Sequence, residues 1–156
     1  MENSDYFKFV KYANELKRNK ESLFKKNKEV FNLLLNFRVI IEENLHQKNK
    51  NDYIELIIDF LENNITATDF SGFFINIYES VNQNLCQMEK DENFSELSNY
   101  LIKNNNFKVG ESLSYMYGEC DYFNSNIDLD LNMSNDILTE NLKNQAKILL
   151  QKLQQI

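Results

Sequence analysis

With 156 residues, 42% of them hydrophobic and 13% aromatic, and a formal charge of −7, the chain has apolar surface for a compact core and too much of it to stay disordered. The absence of proline and the presence of only 3 glycines (Gly72, Gly110, Gly118) argue against a many-turned β-sandwich or barrel and against the common glycine-rich phosphate loops. One histidine and two widely spaced cysteines argue against a closed zinc site or a histidine-based triad, which leaves a small, acidic, all-α protein without obvious catalytic equipment.

From Asp5 to about Gln47 the pattern is helical. Tyr6, Phe9, Val10, Ala13 and Leu16 recur at three- and four-residue steps, with Lys8, Lys11, Lys17, Arg18 and Lys20 on the other side. Leu23, Phe24, Val30, Phe31, Leu34, Phe37, Ile41 and Leu45 continue the apolar stripe. The polar run 18–22 reads either as a turn or as an exposed part of one long helix. The run 47–51 has no apolar residue and reads as a linker, and the charge changes sign there. Residues 1–50 hold 11 Lys/Arg against 7 Asp/Glu, whereas residues 51–156 hold 6 against 17. The division predicts a basic N-terminal helical extension over 1–50 and an acidic helical-bundle domain over 52–156.

In the acidic part, Tyr53, Leu56, Ile57, Phe60 and Leu61 form one helical stripe that ends in the polar run 62–64. Thr66 is placed to cap the next helix, with Asp69 as its capping carboxylate and Ile65 at the staple position. That helix carries Phe70, Phe73, Phe74, Ile77, Val81 and Leu85 and frays near residues 90–92. Ser95 is a candidate cap for a short helix with Leu97, Tyr100, Leu101 and Ile102, broken by the asparagines at 104–106. Residues 111–123 read as a further helix with Leu113, Met116, Tyr117 and Cys120 inward. A last helix runs from about Asn135 to Gln154 on Ile137 or Leu138, Leu142, Ile148 or Leu149, and Leu153. Between these two, Ile127, Leu129, Leu131 and Met133 alternate with Asp128, Asp130 and Asn132, a period of two that predicts an extended segment with carboxylates toward water. The expected architecture is an antiparallel bundle of four to five helices with an N-terminal helical extension.

Residues 1–5 are polar and acidic, no apolar leader follows, and the most apolar run, 30–41, is too short and too polar to span a bilayer. Cys86 and Cys120 have no partner at metal or redox spacing, so a reducing, cytoplasmic setting is expected. The 25 asparagines suggest an AT-rich coding genome, which makes an organelle such as a plastid the alternative compartment.

Most candidate chemistry fails on residue type. The spacing Asp128, Asp130, Asn132, Ser134, Asp136 resembles half of an EF-hand loop, but Met133 stands where the sharp turn needs glycine and Thr139 where a bidentate glutamate is needed. Glu119 and Asp121, two apart on a helix, point in different directions, which disfavours paired acid–base work. His46 is expected to face solvent. The lysine-rich face of residues 8–28 lacks the arginine density of an RNA-binding surface, and its glutamates dilute any membrane signal. No enzyme activity, cofactor, metal, direct nucleic-acid contact or membrane contact is expected. What remains is an acidic cluster, Glu111, Glu119, Asp121, Asp128, Asp130 and Asp136, interspersed with Tyr115, Tyr117 and Tyr122. Rings supply buried area and carboxylates supply steering, so such a surface suits a basic protein.

The stretch from Tyr53 through Ile65, Thr66, Ala67 and Asp69 to Phe70, followed by Phe73 and Phe74, resembles the opening helical hairpin of the colicin D immunity-like proteins, a bacterial self-protective family. Leu113 through Tyr122 is similar to that family's penultimate helix, which ends in an acidic-aromatic segment, and the final Leu142/Leu149 helix fits its closing helix. The likeness covers about residues 52–155 and leaves out the extension, and no proline follows the acidic-aromatic segment, where the family often has one. The resemblance implies a non-catalytic protein that covers the basic active site of a tRNA-cleaving toxin nuclease with carboxylates. By matching position it assigns partner binding to Glu119, Asp121 and Tyr122, with Asp128 and Asp130 beside them. The alternative keeps the fold and drops the toxin: a helical accessory or assembly protein that docks on another basic partner, favoured by the basic extension.

Overall fold

A computed structural model describes residues 2–103, 107–127 and 134–156. Among the described residues there are eight helices and no strand, so the all-α class is observed. They are α1 (Asn3–Arg18), α2 (Leu23–Lys26), α3 (Lys28–Lys48), α4 (Lys50–Leu61), α5 (Ala67–Lys90), α6 (Phe94–Asn99), α7 (Gly110–Asn126) and α8 (Ser134–Gln154). The extended segment expected at 126–134 falls mostly outside the described residues; its first residue, Asn126, belongs to α7.

With almost no glycine, the chain ends three helices on side chains that must enter the left-handed region. Lys20, Asn63 and Glu92 have φ of 57°, 62° and 51°. Each follows a helix end in the Schellman arrangement. After α1, for example, the Lys20 N–H donates to the Lys17 carbonyl at 3.0 Å and the Glu21 N–H to the Leu16 carbonyl at 2.8 Å. The polar run 18–22 is therefore a turn. Asparagine tolerates this conformation; lysine and glutamate bear a steric penalty there. Lys20→Gly is expected to raise stability by about 0.5–1 kcal/mol, seen as a higher urea midpoint at unchanged slope. A lower midpoint would mean that glycine's extra freedom in the unfolded chain outweighs the relief.

The expected linker at 47–51 is not one. α3 continues to Lys48 and α4 begins at Lys50, with Asn49 alone between them. Gln47, Lys48 and Lys50 are good helix formers, and without proline or glycine nothing in the run stops a helix. The short helix starts two residues earlier than expected: Asn93, not Ser95, caps α6, its side chain accepting from the Glu96 N–H. Thr66 does cap α5, its hydroxyl oxygen accepting from the Asp69 N–H at 3.1 Å, and the Asp69 carboxylate accepts that hydroxyl's proton at 2.9 Å.

The chain forms two compact units, and the first is discontinuous: residues 1–45 with 82–105 in one, residues 46–81 with 106–156 in the other. This differs from a division at residues 50–52, because α3 and α5 each contribute to both units. The charge divides with them. The first unit carries 11 Lys/Arg and 11 Asp/Glu, the second 6 and 13, so the second unit holds the whole net charge.

In the first unit, Tyr6, Val10, Ala13 and Leu16 of α1 are buried, as are Leu34, Phe37, Ile41 and Leu45 of α3, Leu85 and Met88 of α5, and Leu97 of α6. Among these apolar groups lies a polar knot. Glu89 of α5, 5% exposed, accepts from Arg38 Nε at 2.9 Å, Arg38 Nη2 at 2.6 Å and Tyr6 Oη at 2.8 Å. Burial is the main cause that pushes the Tyr6 phenol far up, with the Glu89 charge adding to it.

The second unit is an antiparallel four-helix bundle of α4, the first part of α5, α7 and α8. Lys50 at the start of α4 donates to the carbonyl of Ile156, while Asn63 just past its end accepts from Lys143 in α8. Ser112 near the start of α7 accepts from Lys152 near the end of α8, and Ser71 of α5 donates to Asn124 late in α7. The core contains Tyr53, Ile57, Phe60, Phe70, Phe74, Leu113, Met116, Cys120, Phe123, Leu142, Ala146, Leu149 and Leu153. Phe60 and Phe70 stack at 4.3 Å across the α4–α5 hairpin. Each such ring adds roughly 1.5–3 kcal/mol of burial. Phe73 is 51% exposed, since the buried pair Phe70 and Phe74 already takes the core side of that turn. In α8 the alternatives resolve toward Leu149 and Leu138 inward, with Ile148 and Ile137 outward.

Candidate functional site

α7 buries Leu113, Met116, Cys120 and Phe123, a row at three- and four-residue steps that fixes where its other side chains point. Tyr115 and Tyr122 are 57% and 58% exposed. Seven residues apart, they lie on one side of the helix with Glu119 between them and Glu111 one turn before. The Tyr115 phenol is held above its ordinary value chiefly by the Glu119 charge, then by a hydrogen bond to that carboxylate. This row holds two of the residues assigned from the sequence, half-buried Glu119 and exposed Tyr122.

Asp121 stands apart from it. Two residues from Glu119, it is exposed on the flank of α7 nearer Tyr117, whose phenol it helps to raise. The larger influence on Tyr117 is its hydrogen bond to Glu79 Oε1 at 2.9 Å. That bond and a ring contact with Tyr78 at 4.7 Å tie Tyr117 to α5, so the tyrosines divide into an outward pair and a packed one. Asp128 and Asp130, and with them the calcium-loop spacing, lie outside the described residues. Among the described residues no group of His, Cys, Asp or Glu is arranged to hold a metal ion.

Beside Tyr115 runs an open groove of about 380 Å³ between α7 and α8, bordered by Glu111, Met116, Gln145, Ile148 and Lys152. Ile148 is 47% exposed, and Lys152 Nζ donates to Ser112 Oγ at 2.9 Å. These α8 residues were missed from sequence because adjacent Ile148 and Leu149 fit a helical stripe equally well. Only the packing of Leu149 against the core decides which one faces out.

His46 is a correction. It is 4% exposed, with Nδ1 3.0 Å from Tyr53 Oη and its ring stacked on Tyr78 at 5.0 Å, and burial lowers its pKa to about 4. Cys86 and Cys120 are free thiols, and burial pushes the Cys120 thiol up. Among the described residues no helix is long and apolar enough to cross a membrane.

Comparisons with protein-family models, with curated proteins and with solved structures find no match. The functional reading therefore rests on the residues of the α7 face and their surroundings.

Proposed function

We propose that the chain is a non-catalytic binding protein whose acidic second unit docks on a basic protein, in its sharpest form the nuclease domain of a toxin that cleaves tRNA. The observation that carries this reading is the row Tyr115, Glu119, Tyr122, two exposed rings flanking a half-buried carboxylate, on a helix of the unit that holds the whole net charge. Carboxylates on such a face pair with the cations that a nuclease uses to hold phosphates, and two exposed rings give the contact buried area. Long-range attraction raises the encounter rate and makes it salt-dependent. The resemblance of residues 52–155 to colicin D immunity-like proteins points the same way.

The test is capture on the immobilised chain at low salt, elution by salt, and titration of the eluted protein's tRNA cleavage with free chain. Cleavage is expected to fall to zero at a stoichiometric end point. A captured basic protein without nuclease activity would support the accessory reading instead. Glu119→Lys is expected to weaken the complex by about tenfold or more, and Tyr122→Ala by a similar factor, with helicity unchanged. Asp121→Lys is expected to have a smaller effect, since Asp121 lies off the row. Affinity indifferent to Glu119→Lys would remove α7 from the interface.

A further inference from the structure

Within the first unit, α3 turns a second row of side chains away from its buried row. Lys28, Phe31, Leu35, Val39 and Glu42 follow one another at three- and four-residue steps. Val39 is 58% and Leu35 39% exposed, and half-buried Phe31 meets the ring of Phe24, itself 49% exposed, at 5.3 Å. An exposed apolar row of this length calls for a cover.

The row itself identifies one. It is symmetric about Leu35, with Phe31 and Val39 one turn to either side and Lys28 and Glu42 two turns to either side. Laid antiparallel on a second copy, with a twofold axis at Leu35, it sets Leu35 on Leu35, Phe31 on Val39 and Lys28 on Glu42. The last two contacts each occur twice, as an isologous interface requires. Opposite charges therefore close both ends of an apolar centre, and a register shifted by one turn loses both charge pairs.

We propose that this face of α3 is the interface of a symmetric homodimer. Two further observations favour a second copy as the occupant. The first unit has equal numbers of Lys/Arg and Asp/Glu, so net charge does not oppose its self-association. Half-buried Glu42 has its carboxyl raised mainly by burial, against a lowering by Arg38, and Lys28 of the second copy brings it another cation. The row from Lys28 to Glu42 is about 21 Å long, so the interface is small and the dimer dissociates in the micromolar range.

Sedimentation equilibrium of the full chain over a concentration series tests this, with far-UV circular dichroism as the control for folding. The wild type is expected to show a monomer–dimer equilibrium. Lys28→Glu sets Glu on Glu42 twice and is expected to raise the dimer dissociation constant by more than about tenfold. Glu42→Lys sets Lys on Lys28 twice and does the same. Mixing the two variants restores both pairs, so a heterodimer is expected from two chains that are each monomeric alone. Leu35→Lys, which places two cations on the axis, is expected to abolish the dimer and keeps the test valid if Glu42→Lys disturbs Arg38. A wild type that is monomeric at every concentration, a dimer indifferent to Leu35→Lys, or no heterodimer on mixing folded variants would each overturn the proposal.

Discussion

Replacing Glu89 by alanine is expected to lower the unfolding free energy by about 3 kcal/mol, because it leaves a half-buried cation without its counter-ion. Arg38 loses its three contacts to that carboxylate, at 2.9, 3.1 and 2.6 Å, and the Tyr6 hydroxyl loses its 2.8 Å acceptor. Tyr6 is fully buried and the Arg38 side chain only 26% exposed, so water reaches neither group easily. Arg38→Ala is expected to cost a similar amount by the converse route, leaving the Glu89 carboxylate without its cation. The double variant Arg38→Met/Glu89→Leu removes both charges and fills the space, and its cost should be far below the sum of the single effects. Tyr6→Phe, which removes only a hydroxyl, is expected to cost about 1 kcal/mol. Urea unfolding of the four proteins measures the coupling. Additive effects would mean that the three groups do not act as a unit.

That knot also explains why the first unit was hard to read from the sequence. Tyr6 and Glu89 are 83 residues apart, and neither carries a local mark of the other. The helices themselves were legible, since Tyr6, Val10, Ala13 and Leu16 in α1, or Leu113, Met116 and Cys120 in α7, repeat at helical spacing and are buried. A stripe states that a helix has a partner; it does not say which one. Charge was misleading for the same reason. Residues 1–50 look like a basic module, but Lys48 and Lys50 belong to the other unit, and residues 82–105, which hold 4 acids and 2 lysines, join residues 1–45. The polar run 47–51 does not act as a linker, because helix-forming polar residues continue a helix as readily as they leave it.

At the candidate site the resemblance assigns Glu119 and Tyr122, and the burial of Met116, Cys120 and Phe123 turns both away from the core, Tyr122 exposed and Glu119 half-buried. The resemblance groups Asp121 with them by matching position, whereas helical geometry sets it on the flank nearer Tyr117. The α8 side of the groove could not be assigned, because Ile148 and Leu149 have equal claims to the core until the angle at which α8 packs on α7 is known.

His46 gives the second large effect, on acidification. Its ring sits 4% exposed against Tyr53 and Tyr78, and burial holds its pKa at about 4, against 6.5 for an unburied histidine. The unfolded chain therefore takes up this proton first as pH falls. The stability that neutral His46 supports is fully present above pH 6.5 and is lost as pH falls toward 4, amounting to roughly 3 kcal/mol at the end of that window. A charged imidazolium donates from Nδ1, so the Tyr53 hydroxyl that faces it must then accept. His46→Phe keeps a ring against Tyr78 and removes the titration, but it leaves the Tyr53 hydroxyl without this partner, at about 1–2 kcal/mol near neutrality. The variant should thus be the less stable protein at pH 7.5 and the more stable one near pH 4, with the two curves of unfolding free energy against pH crossing between. Carboxylates contribute equally to both proteins, so the difference between the curves isolates the histidine. Parallel curves across that window would mean that His46 takes up its proton without leaving its place among the tyrosines.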